Sequence, residues 1–220
     1  MPTPFGPSPL PSEVTDPRST VGEPDLADQD AFERLASELG AAPSSRAQRA
    51  LYRSMLATVR ELARERTPLT EADVRNLHRL VVQRSRPDIA GRYADLARYV
   101  RTETGQYDFP SPAEIPALMG DFAKWLAAAP DTPESAFTAH RRLVDIHPFN
   151  DGNGRAARLL MNLILIRAGY PPVAVRPEDR PAYVHALQQA QAGHGCGNFD
   201  NLLYERLDAT LGEYLSALTG

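Results

Sequence analysis

The sequence predicts an all-α fold, a bundle of helices that carries one small β-hairpin. Apolar residues recur with a period near 3.6 along most of the chain, whereas alternating apolar and polar runs are scarce. Several apolar stretches open with Ser or Thr followed by Pro or Glu, a pattern typical of helix N-termini. One segment, Arg92 to Phe109, departs from this period and predicts the hairpin.

The composition is that of a globular protein without a general attraction for polyanions. Of the 220 residues, 42% are hydrophobic and 24% are charged, and the formal net charge is -4. A net negative charge disfavours binding through bulk electrostatics, so we expect neither nucleic acid nor a membrane as a partner. Cys196 is the only cysteine, which excludes an internal disulfide and a thiolate metal cluster.

Nothing in the sequence predicts a membrane span or a secretion signal. No run approaches the roughly 18 consecutive apolar residues of a spanning helix. Met1 to Leu10 has neither a basic start nor an apolar run. We therefore expect a cytoplasmic protein, and delivery into another cell as an effector is an alternative that stays open.

Residues 1–27 are expected to form a disordered tail ahead of a domain that spans 28–220. The tail contains seven prolines and little apolar surface to offset the entropy of ordering it. Residues 28–44 form a helical region to which the sequence assigns no role, with a short helix from Asp30 to Leu39. A longer helix is expected from Ser45 to Arg66.

Two helix starts stand out in the middle of the chain. Thr70 is a good N-cap, and the residues expected to face inward after it are Val74, Leu77, Leu80 and Val81. The second start combines Ser111 as the N-cap, Pro112 at the first helical position and Glu114 as the capping-box acid. A broad apolar stripe follows it: Ile115, Leu118, Met119, Phe122, Trp125 and Leu126.

The second half of the chain predicts four more helices. Thr132-Pro133 opens the first of them. The next, Arg155 to Ala168, is apolar on most sides, so we expect it at the centre of the bundle, ended by Gly169. Two further helices are expected over Pro181 to Gln191 and Asn201 to Leu218.

The hairpin is predicted from aromatic and β-branched residues on both sides of a turn signal. The turn is Glu103-Thr104-Gly105-Gln106, and the residues around it are Tyr93, Tyr99, Val100, Thr102, Tyr107 and Phe109. We expect this hairpin to stand apart from the helical body.

Residues suited to phosphate chemistry are concentrated in the loop from His147 to Arg158. Gly152 and Gly154 let the backbone curl, so that several N–H groups converge at the positive end of the next helix. Arg155 and Arg158 are three residues apart and share one helix face, where their guanidinium groups suit successive phosphates. The loop therefore predicts an anion site.

The same loop offers a metal ligand and a base. Asp151 supplies a hard oxygen of the kind that holds Mg²⁺ beside phosphates. His147 is the only nearby side chain that can accept a proton at neutral pH, and Phe149 is expected to anchor the loop in the core. Each residue alone has a plainer explanation as a turn, helix-end or solvent-facing residue. Their coincidence within twelve residues favours a catalytic site.

This loop resembles the signature motif of Fic domains. That motif reads His-Pro-Phe, two variable residues, Gly-Asn-Gly-Arg, two variable residues and Arg, and every fixed position is fulfilled by His147-Pro148-Phe149-Asn150-Asp151-Gly152-Asn153-Gly154-Arg155-Ala156-Ala157-Arg158. The similarity extends over roughly Ser45 to Leu218. It implies a Fic-type helical bundle with a β-hairpin flap.

The resemblance implies a protein adenylyltransferase, a nucleotidyltransferase that moves AMP from ATP to a hydroxyl side chain of a target protein. ATP would be the co-substrate and Mg²⁺ the cofactor. By position, His147 would be the base that deprotonates the target hydroxyl, and Asp151 would hold Mg²⁺. The phosphate ligands would be Gly152, Asn153 and Gly154 at the α-phosphate and Arg155 and Arg158 at the β- and γ-phosphates.

Two more assignments follow from the resemblance. The hairpin over Arg98 to Phe109 would dock the target protein as an added strand. Tyr183 would line the adenine pocket.

Other activities remain as alternatives. Phosphate-transferring relatives have lysine where Gly154 stands and lack the proline at Pro148, and this sequence has neither departure. Another nucleotide transferase or a non-catalytic Fic-fold binding module also stays open. A P-loop NTPase is excluded because no Gly-x-x-x-x-Gly-Lys-Ser/Thr run occurs.

Regulation is the least determined property. Many Fic proteins carry an inhibitory helix whose glutamate pairs with the second motif arginine, which is Arg158 here. Glu23 has the charge but lies in the tail, and the Ser44 to Gln48 segment has Gln48 in place of the acid. We therefore expect either an uninhibited enzyme or a separate inhibitory partner that supplies the glutamate.

Overall fold

The computed structural model describes residues 58–59, 61–102 and 105–219. Helices joined by short loops make up most of this range, with one two-stranded sheet, so the expected all-α class with a hairpin is confirmed. The tail over 1–27, the helix from Asp30 to Leu39 and most of the helix from Ser45 to Arg66 lie outside the described residues. Residues 58–59 and 61–65 are helical, as expected for the end of that last helix.

Within the described range the longer elements occur in this order. They are α1 (Glu71–Val82), β1 (Tyr99–Thr102), β2 (Gly105–Asp108), α2 (Ile115–Ala128), α3 (Pro133–Ile146), α4 (Asn153–Arg167), α5 (Arg180–Gln191) and α6 (Gly197–Thr219). Two short 3-10 turns, Pro87–Ile89 and Pro177–Asp179, precede the hairpin segment and α5. None of the helices in the described part of the chain is both long and apolar enough to span a membrane.

Helix α4 is the centre of the bundle, as its apolar sequence predicts. Almost every side chain from Ala156 to Arg167 is buried, and α1 and α3 both pack against the helix. The two polar residues among them have partners. The Asn162 amide pairs with both backbone groups of Val173, at 3.0 and 2.6 Å. The Arg167 guanidinium forms an ion pair with Asp131 at 3.1 Å.

Two helix starts are set by N-caps that the sequence identifies. Thr70 accepts a hydrogen bond from the Asp73 N–H, and the Asp73 carboxylate accepts one from the Thr70 N–H, which forms a capping box. Thr132 caps α3 more simply, by accepting one hydrogen bond from the Ser135 N–H.

Three expectations about the helices are wrong in detail. Ser111 does not begin α2, because its N–H and hydroxyl both donate to the Glu114 carboxylate and close a turn ahead of Ile115. Helix α6 begins at Gly197, four residues before Asn201. On α1 the buried residues are Val74, Leu77, His78 and Val82, whereas Leu80 and Val81 are only half-buried.

The hairpin forms where the sequence predicts it. Its antiparallel pairing runs from Tyr99 opposite Asp108 to Thr102 opposite Gly105. One backbone bond beyond the ladder, from the Phe109 N–H to the Arg98 carbonyl at 3.0 Å, continues the pairing toward the helical body. The hairpin therefore ends beside the loop that follows α3.

His140 on α3 is a fully buried histidine whose charge state is tied to folding. It is 0% exposed, and its Nε2 lies 2.7 Å from the Tyr183 hydroxyl. The pKa of His140 is lowered to about 3, chiefly because of burial and in part because of the nearby cations of Arg158 and Arg141. The folded protein therefore keeps this imidazole neutral in mildly acidic solution.

We predict that the protein loses stability between pH 7 and pH 5. Below the ordinary histidine pKa of 6.5 the unfolded chain protonates His140 and the folded chain does not, so acid favours unfolding. One such group contributes at most about 1.4 kcal/mol of unfolding free energy per pH unit. Urea unfolding at several pH values measures the slope, and His140→Asn should reduce it. A slope that His140→Asn leaves unchanged would contradict this assignment.

Candidate active site

The loop between α3 and α4 lies between two residues with positive φ. His147 ends α3 in the left-handed conformation, with φ 50° and ψ 54°, and its N–H donates to the Leu143 carbonyl at 3.0 Å. Gly152, with φ 81°, precedes the first residue of α4. Both reversals occur within six residues, so the loop is compact and joins two helices that pack against each other.

Asn153 and Phe149 hold the loop together from within. The Phe149 N–H donates to Asn153 Oδ1 at 3.0 Å, and Asn153 Nδ2 donates to the Phe149 carbonyl at 2.7 Å. Both side chains are buried, and Phe149 anchors the loop in the core as expected. Both polar atoms of the Asn153 amide are engaged within the loop and the side chain is 2% exposed, so in this structure the side chain shapes the loop.

His78 on α1 contacts the loop at Phe149 and Asp151, a role that was not predicted from the sequence. Its Nδ1 accepts a hydrogen bond from the Gly91 N–H at 3.0 Å, so the proton lies on Nε2, which donates to the Asp151 carbonyl at 2.9 Å. Its ring stacks on Phe149 at 3.7 Å and 3°. The available signal was its spacing: His78 lies four residues from both Val74 and Val82 on the buried face of α1.

Gly152 is required at the helix start for two separate reasons. Its φ of 81° is unfavourable for other residues, and an added Cβ would lie 2.5 Å from a methyl carbon of Val82. The first backbone hydrogen bond of α4 runs from the Ala156 N–H to the Gly152 carbonyl. The N–H groups of residues 153–155 have no acceptor within the helix, and Gly152 has no side chain to cap them. They can therefore donate hydrogen bonds to an anion.

His147 is positioned as a neutral base. Its Nδ1 lies 3.2 Å from the Val144 carbonyl, which can only accept, so Nδ1 carries the proton and Nε2 has a free lone pair. The pKa of His147 is lowered to about 4, chiefly because of burial, which outweighs the opposing effect of the Val144 hydrogen bond. The cation of Arg98 also acts to lower the pKa, and the Asp151 carboxylate acts to raise it.

Asp151 presents an exposed carboxylate next to the helix start. Its Oδ1 accepts a hydrogen bond from the Gly152 N–H at 2.6 Å, and its Oδ2 lies 3.4 Å from Arg155 Nη2. No group of three or more potential metal ligands occurs among the residues that the structure describes. A single carboxylate beside an anion site nevertheless fits Mg²⁺, which is commonly held by one or two carboxylates, phosphate oxygens and water.

The two loop arginines differ in the number of hydrogen bonds and ion pairs that their guanidinium groups make. Arg155 donates to the Val81 carbonyl at 3.1 Å and contacts Asp151, so it ties the loop to α1. The Arg158 guanidinium makes no hydrogen bond or ion pair to the described residues, and its Nη1 lies 3.5 Å from the position of a Cβ at Gly154. Arg158 is therefore the arginine available to a phosphate at the start of α4.

Tyr183 does not fit its expected role at an adenine. Its side chain is 5% exposed, its hydroxyl is bonded to His140, and its ring packs at 5.8 Å against Phe199. Burial thus removes the ring from any surface on which a base could stack. An open cleft instead lies between the hairpin and α5, with a cavity of about 320 Å³. Its lining includes Thr102, Gln106, Tyr107, His185, Gln188 and Gln191.

We predict opposite effects of alanine at the two loop glycines. Gly152→Ala should destabilise the fold by about 2–4 kcal/mol, because a left-handed φ and a clash with Val82 coincide. Gly154→Ala is the matched control. Its Cβ meets only Arg158 at an ordinary distance, and alanine is the better helix former by up to about 1 kcal/mol. Equal unfolding free energies of the two variants would refute the loop geometry.

The comparisons with known proteins agree on one family. The model of the Fic/DOC family matches residues 68–165, which include the whole loop. A protein adenylyltransferase Fic of Nematostella vectensis is 38% identical over 155 residues, which are 69% of this chain and 35% of the relative. The chain thus spans about a third of the length of that relative.

Solved structures show the same relationship. Fic-1 of C. elegans (residues 134–508, E274G) superposes with a TM-score of 0.66 at 30% identity, covering 86% of this chain and 57% of that one. IbpAFic2 covalently tethered to Cdc42 superposes with a TM-score of 0.51 at 25% identity, covering 74% and 56% of the two chains. With the fulfilled loop motif, the helical bundle and the hairpin, these matches show that residues 68–165 of the chain form a Fic/DOC domain.

Proposed function

We propose that the protein is an adenylyltransferase that moves AMP from ATP to a hydroxyl side chain of a target protein. The observation that carries this proposal is the juxtaposition of a neutral base, His147, with the uncapped start of α4 and the unpaired Arg158. The name of the Nematostella relative, a protein adenylyltransferase, supports the same reaction.

The residues of the loop divide the reaction between proton transfer and charge stabilisation. His147 Nε2 takes the proton of the target hydroxyl while the hydroxyl oxygen forms a bond to the α-phosphorus of ATP. At the same time the bond from the α-phosphorus to the pyrophosphate oxygen breaks, and pyrophosphate leaves. The N–H groups at the start of α4 face the α-phosphate, and Arg158 binds the departing phosphates. Arg155 contributes after partial release from Val81 and Asp151. Asp151 would hold Mg²⁺, which would neutralise phosphate charge when bound.

The hairpin is the proposed docking site for the target protein. The sheet has two strands, so each strand has an outer edge without a strand partner in the described part of the chain. An extended target segment could add to either edge by backbone hydrogen bonds. The hairpin ends at Phe109, whose ring contacts His147, so a docked segment would lie near the base. The relative tethered to Cdc42 is a Fic protein in complex with another protein.

Restraint by a separate inhibitory partner is also part of the proposal. A carboxylate from such a partner could form a bidentate contact with Arg158 and displace the terminal phosphate. Arg158 lacks a partner among the described residues, which supports this idea. Glu23 and Gln48, the chain's own candidates for this contact, lie outside the described residues.

We predict that His147→Ala abolishes AMP transfer and largely preserves ATP binding. A general base contributes about 10²- to 10⁴-fold to such a step, and His147 is not a phosphate ligand. The assay incubates the protein with α-labelled ATP, Mg²⁺ and lysate, and intact mass spectrometry of a modified target identifies the group transferred. Transfer by His147→Ala at the wild-type rate would exclude His147 as the base. A mass gain of one phosphate would assign the rival phosphotransfer reaction.

We predict that Asp151→Ala raises the Mg²⁺ concentration needed for half-maximal transfer about tenfold or more, because the protein then lacks its carboxylate ligand for the metal. Asp121→Ala is the control, since Asp121 is an exposed carboxylate on α2 paired with Lys124. It should leave the metal requirement unchanged. Transfer that persists in EDTA would exclude the metal role of Asp151.

A further inference from the structure

Phe109, the first residue after β2, lies directly on the imidazole of His147. The two ring centroids are 3.8 Å apart and the ring planes differ by 20°, so the rings are stacked. The phenylalanines of the core, Phe122, Phe137, Phe149 and Phe199, are at most 1% exposed. Phe109 is only half-buried. Its main contact is therefore with the base, and filling the hydrophobic core does not account for its position.

The end of the hairpin holds the Phe109 ring in place. The Phe109 N–H donates to the Arg98 carbonyl at 3.0 Å, and Arg98 Nη2 donates to the Pro110 carbonyl at 2.6 Å. The Tyr107 ring meets Phe109 edge-on at 5.2 Å. One backbone bond, one bond from the Arg98 guanidinium and an aromatic neighbour thus fix Phe109 before any target binds.

The stack and the Val144 hydrogen bond together leave one orientation for the imidazole. Rotation of the ring about its Cβ–Cγ bond would break the contact of Nδ1 with the Val144 carbonyl and would drive an edge of the ring into Phe109. The charged groups acting on His147 are Arg98 from the hairpin side and Asp151 from the loop. Phe109 covers one face of the ring with apolar surface and excludes water from it.

We propose that Phe109 is a positioning residue for His147: by stacking on the imidazole it holds Nε2 in the orientation needed to deprotonate the target hydroxyl. This inference rests on the proposed function, in which His147 is the base. It also connects the hairpin to the chemistry, because the segment that docks the target carries the residue that orients the base. A displaced hairpin would leave His147 mobile and hydrated.

The direct test is an NMR titration of the His147 ring in the full-length protein, with the resonance assigned by its loss in His147→Gln. In Phe109→Ala the ring gains water on one face, so the His147 pKa should rise from about 4 by about one unit. Phe109→Tyr keeps the stack and should titrate like the wild type. Trp125→Leu removes an aromatic ring that stacks on Phe122 in α2, and controls for a general loss of stability.

Transfer kinetics supply the second measurement. In Phe109→Ala the acid limb of the pH–rate profile should move to higher pH, and kcat at pH 8 should fall about tenfold with KM for ATP unchanged. Phe109→Tyr should restore the wild-type values. The proposal is overturned if the His147 titration is the same in Phe109→Ala and the wild type, or if Phe109→Tyr is as impaired as Phe109→Ala.

The titration does not depend on enzymatic activity, so it separates the two proposals. If the His147 pKa shifts in Phe109→Ala while the wild-type protein transfers no AMP, the contact is supported and the proposed function is rejected. An unshifted pKa in a protein that transfers AMP would reject the positioning role alone. If Phe109→Ala does not fold, Phe109→Leu keeps the apolar volume, loses the stack and serves for the same comparison.

Discussion

The reciprocal pair of hydrogen bonds between Asn153 and Phe149 connects the active-site loop to the core. Asn153 is the first residue of α4, the most buried helix, and Phe149 lies in the middle of the loop. The Phe149 ring in turn stacks on His78. His78 accepts a hydrogen bond from the Gly91 N–H and donates one to the Asp151 carbonyl. Three adjacent buried residues, Asn153, Phe149 and His78, therefore fix the loop to the core. The exposed residues of the loop are not needed for its conformation.

The residues of the loop with chemically useful side chains therefore make few contacts that stabilise the fold. Arg155 is engaged with Val81 and Asp151, whereas Arg158 is unpaired among the residues described here. Of the two ring nitrogens of His147, only Nδ1 has a hydrogen-bond partner among the described residues. An unpaired cation, a neutral base and the positive end of a helix together form a site whose own carboxylate within the loop is that of Asp151. Such a site is complementary to a polyphosphate that brings its own charge and its metal ion.

The sequence was informative wherever local chemistry decides the outcome. Thr70 and Thr132 cap helices because each hydroxyl bonds to the N–H three residues later, and this bond forms without any tertiary contact. The hairpin and the loop likewise follow from turn residues and a contiguous motif. One failure is local, because Ser111 donates to Glu114 in a turn ahead of α2 and does not begin the helix. The failures at the site concern contacts between distant segments. The Tyr183 ring turns inward because His140, 43 residues away, offers it a buried partner, and nothing near Tyr183 in the sequence signals this. His78 was missed for the same reason, since its partners Gly91 and Asp151 come from two other segments.

The bare N-cap at Gly152 has a consequence for how ligand binding and folding are connected. A serine or aspartate at that position would complete the first turn of α4 from within the chain. Glycine leaves this to a ligand, so a phosphate bound there would act as the cap of the helix at the centre of the core. Under the proposed function the nucleotide would then stabilise the fold as well as serve as a substrate. The protein and its bound nucleotide would unfold together on heating.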